Sequence, residues 1–299
     1  MNHFDLIKNR NYFLGFGAFM VIASIVCVAV FGLKQGIDLK GGTQWRVAFE
    51  DASITSEAVR AAIQPLTKEG ESSVKQSEPG SFILRLPSLT EERHGEFRGA
   101  LEKLGTYEEQ SFSNIGPTIG AELRARAMKA IVVVLLGISL YIAYAFRKVS
   151  KPIASWKYGA ATLITLFHDV AIPTGLLAIL GYAKGIEIDT NFIVALLVVM
   201  GLSVHDTIVV FDRIRENILV HRGKQFTLAD TVNYSVRETF VRSVNTTLTL
   251  VIVLVALLIF GPSSLYYFIL TILIGTVFGT YSSIFLASPL VYLWGKGKE

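Results

Sequence analysis

Apolar residues dominate six stretches of this chain, at about residues 12–33, 127–146, 158–182, 192–211, 244–260 and 265–294. Each approaches or exceeds the roughly 17–25 residues with which an α-helix crosses a bilayer. The first follows Lys8 and Arg10 and outruns the apolar core of a cleaved leader, so it reads as a retained anchor. Residues 34–116 differ: acids and bases mix almost evenly there, as on a water-facing surface. Residues 42–50 alternate as a strand, residues 55–67 have helical spacing behind a Thr/Ser cap, and strands 72–78 and 81–86 flank a Pro79-Gly80 turn. A helix over 90–104, closed by Gly105, and a strand over 107–114 complete the order βαββαβ, the ferredoxin-like pattern. The expected fold is a membrane all-α bundle of six transmembrane helices with an inserted α+β ferredoxin-like domain outside the membrane. Its parts are residues 1–33 (N-terminus and first span), 34–116 (outer domain) and 117–299 (connecting helix and five further spans).

Composition agrees with a membrane solvent: the 299 residues are 52% hydrophobic and 17% charged, with mean hydropathy +0.49. The net charge of +4 does not imply nucleic acid, because the bases flank apolar runs rather than forming a tract. Arg147, Lys148, Lys151 and Lys157 occupy one connection, Arg213, Arg215, Arg222, Lys224 and Arg237 another, and Lys296 and Lys298 end the chain. The alternate connections, 183–191 and 261–264, hold only Lys184, which predicts both termini in the cytoplasm and residues 34–116 outside. Cys27 lies within the first run, so disulfides and a Cys-based metal site are excluded.

Ionisable groups inside apolar spans are costly and therefore candidates for function. Here they are His168-Asp169 in the third span and His205-Asp206 in the fourth. Burial favours a neutral carboxyl and a nearby guanidinium favours a charged one, so a change of packing can load or release a proton. Arg242, beginning the fifth span, is the partner of Asp206 by type, and Asn245, Thr246 and Thr249 continue one helix face. The bland alternatives are a static or interface-snorkelling Asp206–Arg242 pair and an interhelical hydrogen bond at Asp169. His168 and His205 suit orienting roles, since no metal-ligand spacing occurs; no metal or cofactor is expected. A hydrolase would need a nucleophile or ligand set that the chain lacks. Gly275, Gly279 and Ser283 recur every four residues and permit close helix packing, while Pro173 and Gly175 would kink the third helix beside Asp169. The segment containing Asp38, Gly41 and Gly42 reads as a tight turn before a strand, not a phosphate loop.

At residues 201–217 the chain reads GLSVHDTIVVFDRIREN, and on that run it resembles the SecF family, membrane subunits that work with SecD beside the bacterial Sec protein-export channel. Supporting segments in the family's order are His168-Asp169-Val170, Gly116-Pro117-Thr118-Ile119-Gly120 and Glu238-Thr239-Phe240-Val241-Arg242-Ser243, so the likeness covers nearly the whole chain. Two departures stand out: His205 replaces a frequent Asn, and Asp38-Leu39-Lys40-Gly41-Gly42 looks more like SecD. The small outer domain and the run from Asp212-Arg213 to Asn217 favour SecF.

The resemblance implies membership of the resistance-nodulation-division superfamily and a place in the bacterial inner membrane, with the outer domain periplasmic. It implies a non-enzymatic accessory role that uses the proton motive force, with SecD, to promote late export of polypeptides. Asp206 and Arg242 match the charged residues on which proton coupling depends at the SecD boundary. Implied partners are SecD, the SecYEG channel, YajC, unfolded polypeptide, lipid and protons. The rivals are a proton-coupled exporter of small or lipidic molecules and a non-conducting scaffold.

Overall fold

The computed structural model describes residues 5–68, 72–147, 153–220 and 226–295. Lys148, Lys151, Arg222, Lys224, Lys296 and Lys298, on which part of the orientation reading rests, lie outside them. The chain forms two compact units: a helical one from Met1–Lys34, Lys129–Ile186 and Asn191–Glu299, and a sheet unit from Gln35–Met128 and Glu187–Thr190.

In the sheet unit a short helix α2 (Ile37–Lys40) leads into β1 (Gly42–Phe49), followed by α3 (Ser56–Ile63), β2 (Ser73–Glu78), β3 (Ser81–Leu86), α4 (Glu91–Glu102) and β4 (Tyr107–Ile115). The sheet order is β2-β3-β1-β4, antiparallel at every pairing. Thr55 and Thr90 start α3 and α4 by accepting the N–H of Ala58 and Arg93, the orphan donors of a first helical turn. One sheet face is apolar at every second position, and Trp45, Val47, Phe82 and Leu84 bury it against Val59, Ile63, Phe97 and Leu101 of the two helices.

Among the described residues six helices are long and apolar enough to cross a membrane: α1 (Arg10–Phe31), α5 (Pro117–Ala145), α6 (Ser155–Lys184), α7 (Thr190–Val220), α8 (Leu228–Phe260), and α9 (Tyr266–Phe285) with α10 (Ala287–Gly295). The last run breaks because Pro289 has no N–H for the carbonyl of Phe285, where α9 ends. α7 and α8 extend well beyond their apolar runs. Arg213 and Arg215 therefore sit on α7, and Arg237 on α8, rather than in the connection expected from their charge. The early start of α8 follows from a capping box, Thr227 with Asp230, and from Leu228, Val232 and Val236, which bury an amphipathic face among Phe211, Ile214 and Val291. Large apolar side chains such as Phe19, Val133, Leu140, Ile252 and Ile259 are exposed, as lipid-facing positions should be.

Candidate functional site

The stripe Gly275, Gly279, Ser283 of α9 lies against α7, four residues at a time. A Cβ on Gly275 would collide with the Val199 side chain, and one on Gly279 would stand 3.1 Å from Ser203 Cβ. Ser283 then meets Thr207, with their hydroxyls 2.8 Å apart, and donates to the Ser203 carbonyl at 3.2 Å. The absence of bulk lets two helices close over polar side chains within the bundle.

Asp169 on α6 is fully buried in this contact. Its Oδ1 is 2.8 Å from His168 Nδ1, and its Oδ2 accepts hydrogen bonds from Ser282 Oγ at 2.8 Å and from Ser203 Oγ. The His168 ring packs near Phe278 and Tyr281, which fixes the imidazole edge toward the carboxyl. Pro173 deprives the Asp169 carbonyl of its helical donor, and Gly175 brings α6 against Ser24 of α1; α6 continues through both to Lys184.

Asp206 on α7 is 9% exposed. Thr280 Oγ1 donates to its Oδ2 at 3.2 Å and Thr247 Oγ1 at 3.5 Å, and the two threonine hydroxyls lie 2.5 Å apart. His205 Nδ1 is 3.7 Å from Oδ1, but the His205 side chain is 66% exposed. Beside the carboxyl is a cavity of about 40 Å³ bordered by Ser203, Asp206, Thr246, Thr247, Thr276 and Thr280. That is room for one or two waters. Thr276 Oγ1 borders it, buried and with no hydrogen-bond partner among the described residues.

The expected pairing of Asp206 with Arg242 is not made. Arg242 and Asn245 are exposed on α8, and no ion pair joins Arg242 to Asp206. The reason is helical phase: Thr247 faces Asp206, and five residues turn a helix through about 140° beyond one revolution, so Arg242 points elsewhere. Thr246 bonds the Arg242 carbonyl at 2.9 Å and borders the cavity. A charged link between α7 and α8 is made by Arg213–Glu238, with Arg213 also reaching Glu216 at 2.6 Å. Asn217 supports it, donating to Glu238 at 2.9 Å and to Ser235 at 3.0 Å, while Asp212 accepts a longer bond from Arg215.

Asp38, Gly41 and Gly42 belong to the sheet unit. Asp38 Oδ2 accepts the backbone N–H of Thr190 at 3.3 Å. Gly41 and Gly42 have φ of +84° and +135°, and a Cβ on Gly41 would fall 2.6 Å from Pro117 Cα. The second glycine-containing segment packs back on the first, since Gly120 abuts the Gly41 backbone. These glycines serve a close chain crossing.

Sequence reasoning missed Ser203, Ser282, Thr247, Thr276 and Thr280. Their signal was present: hydroxyl residues recur at spacings of three and four in otherwise apolar runs, as in Thr276, Thr280 and Ser283. Among the described residues no group of three His, Cys, Asp or Glu side chains is placed to hold a metal.

Two family models match the chain: "Protein export membrane protein SecD/SecF, C-terminal" over residues 97–297 and "SecD/SecF GG Motif" over residues 28–52. A protein translocase subunit SecF of Thermobaculum terrenum is 41% identical, over 97% of this chain and 93% of the relative. One from Sebaldella termitidis is 37% identical, over 98% and 92%. The crystal structure of SecDF from Thermus thermophilus, a translocon-associated membrane protein, matches with TM-score 0.83 and 32% identity over 98% of this chain, which spans 39% of that longer one. A SecDF structure in a super-membrane-facing form matches over 99% of this chain and 39% of its own, with TM-score 0.70 and 31% identity.

Proposed function

The chain belongs to the SecD/SecF family of protein export membrane proteins, and on that premise we propose that it is a SecF-type accessory subunit of the Sec translocase that couples proton movement to late polypeptide export. SecDF relatives that carry both subunits in one chain support SecD as its partner. The SecYEG channel, YajC and the emerging unfolded polypeptide complete the proposed surroundings. Both termini are assigned to the cytoplasm, and the sheet unit to the periplasmic side of the inner membrane. The strand order β2-β3-β1-β4, with a helix on each crossover, supports assigning that unit to the ferredoxin-like class.

One observation carries the coupling: Asp206 is sequestered in a spanning helix, yet its hydrogen bonds come from threonine hydroxyls, and the basic group near it is the exposed, titratable His205 rather than a guanidinium. A hydroxyl donates to a carboxylate and accepts from a carboxylic acid, so the site holds either form, whereas a buried ion pair would lock the charge. Arg242 stands on the exposed face of α8, toward the proposed SecD boundary. Charging Asp206 favours an α8 arrangement that brings Arg242 closer, and neutralising it favours the one described above. One charge crossing about 100 mV gains roughly 2.3 kcal/mol, enough to bias two arrangements of similar energy.

The cavity at Asp206, about 40 Å³, suits water and not a transported molecule, which takes roughly 300 Å³ or more. The test is export into inner-membrane vesicles after ATP-driven insertion. Asp206→Asn should reduce the rate to that of wild type treated with an uncoupler, with SecD still co-purifying. Full, uncoupler-sensitive export by the assembled variant would leave only the scaffold.

A further inference from the structure

Asp169 and Asp206 lie on different helices, and Ser203 is the residue common to both. Its hydroxyl donates to Asp169 Oδ2, and the same residue borders the cavity against Asp206. Ser203 and Asp206 are three apart on α7, so both side chains occupy one face. A second feature points to a ligand in that cavity: Thr276 is 6% exposed, borders the cavity, and its hydroxyl has no partner among the described residues. A buried hydroxyl left unpaired is unfavourable, and a water bonded to it removes that cost. The cavity volume fits one or two such waters.

We propose that this cavity is a water site joining the two carboxyls into one relay, with Asp169 the second proton-holding group and Ser203 the switch between them. In the forward step, neutral Asp206 gives its proton to the cavity water, and the water gives one of its own to Ser203 Oγ. Ser203 passes its hydroxyl hydrogen to Asp169 Oδ2, leaving Asp206 charged, Asp169 neutral, and the serine and water as they began. Ser282 and His168 hold Asp169 in place, and the hydroxyl of Ser282 bonds either protonation state. The close approach that Gly279 allows keeps Ser203 against α9, where the relay needs it.

The inference rests on Asp206 changing protonation during the cycle, and the test separates the two claims. Proton-dependent infrared difference spectra would be recorded on the full chain assembled with SecD in lipid, together with proton flux in vesicles. Wild type should show two carboxyl bands, assigned by their loss in Asp206→Asn and Asp169→Asn. Ser203→Ala should lose the Asp169 band and at least tenfold of the flux while keeping the Asp206 band; Ser203→Thr, which retains the hydroxyl, should recover most of both. Thr276→Val should slow flux several-fold without removing the Asp206 band. A single band in wild type, belonging to Asp206, or unaltered flux in assembled Ser203→Ala, would overturn the relay and leave the Asp206 reading standing. Absence of any Asp206 band would overturn both.

Discussion

Arg213 of α7 grips Glu238 of α8 as a fork, with Nε 2.7 Å from Oε2 and Nη2 2.8 Å from Oε1. A bidentate guanidinium pair fixes helix orientation as well as adding energy. Glu238→Ala should therefore lower the melting temperature of the detergent-solubilised chain, though less than the loss of a buried pair would, because both side chains keep contact with solvent. The exchanged pair, Arg213→Glu with Glu238→Arg, should recover most of the loss. Failure of the exchange to recover anything would mean that Glu216 and Asn217 matter more than the fork.

Glycine substitutions in the sheet unit should have opposite signs. Gly41 sits at φ +84° with Pro117 against it, so Gly41→Ala meets left-handed strain of about 1–2 kcal/mol and a backbone collision. Gly99, inside α4, has open space where a Cβ would go, and Gly99→Ala should stabilise by about 0.5–1 kcal/mol. Hydrogen exchange of the sheet unit in the intact chain would reveal faster opening in the first variant and slower opening in the second.

Asp5 gives a pH dependence of known sign. The Lys8 backbone N–H, at 2.9 Å, is the main cause holding its carboxyl below the ordinary value of 3.8, with Asn233 helping at 2.8 Å. Since the folded-state value is depressed, the stabilisation is present above pH about 4 and is lost as pH falls through the lower, folded-state value. Asp5→Asn should flatten that acid limb in melting curves measured between pH 5 and 2. An unchanged limb would show that the contact to α8 does not persist in solution.

Arg242→Ala should leave the stability of the isolated chain within about 0.5 kcal/mol, because the side chain is exposed and has no ion pair with Asp206. In the assembled complex the same variant should lose the stimulation of export by the proton motive force. Thermal melts and vesicle export, measured on one preparation, separate this from a static buried pair, whose loss would destabilise the chain by several kcal/mol.

The spans and strands were legible because each rests on local periodicity: the alternation of β1 and the apolar lengths of the helices follow directly from side-chain direction. The two intramembrane carboxyls were legible for a different reason, their cost in hydrocarbon. Their partners were not. Which hydroxyl meets Asp206 depends on the rotation of α8 and on how closely Gly275 and Gly279 admit α7, and neither is written in one helix alone. Residue type nominated Arg242, but helical phase selected Thr247. The starts of α8 and the end of α7 were hidden likewise, since amphipathic turns beyond the apolar run carry charges that resemble a loop until their buried faces are known.

Proton uptake by vesicles containing the chain assembled with SecD, recorded while unfolded polypeptide is supplied, addresses the exchange of protons at Asp206 most directly. Wild type should take up protons in proportion to polypeptide delivered, and Asp206→Asn, equally assembled, should take up none above protein-free vesicles. Equal uptake by the two would contradict the account.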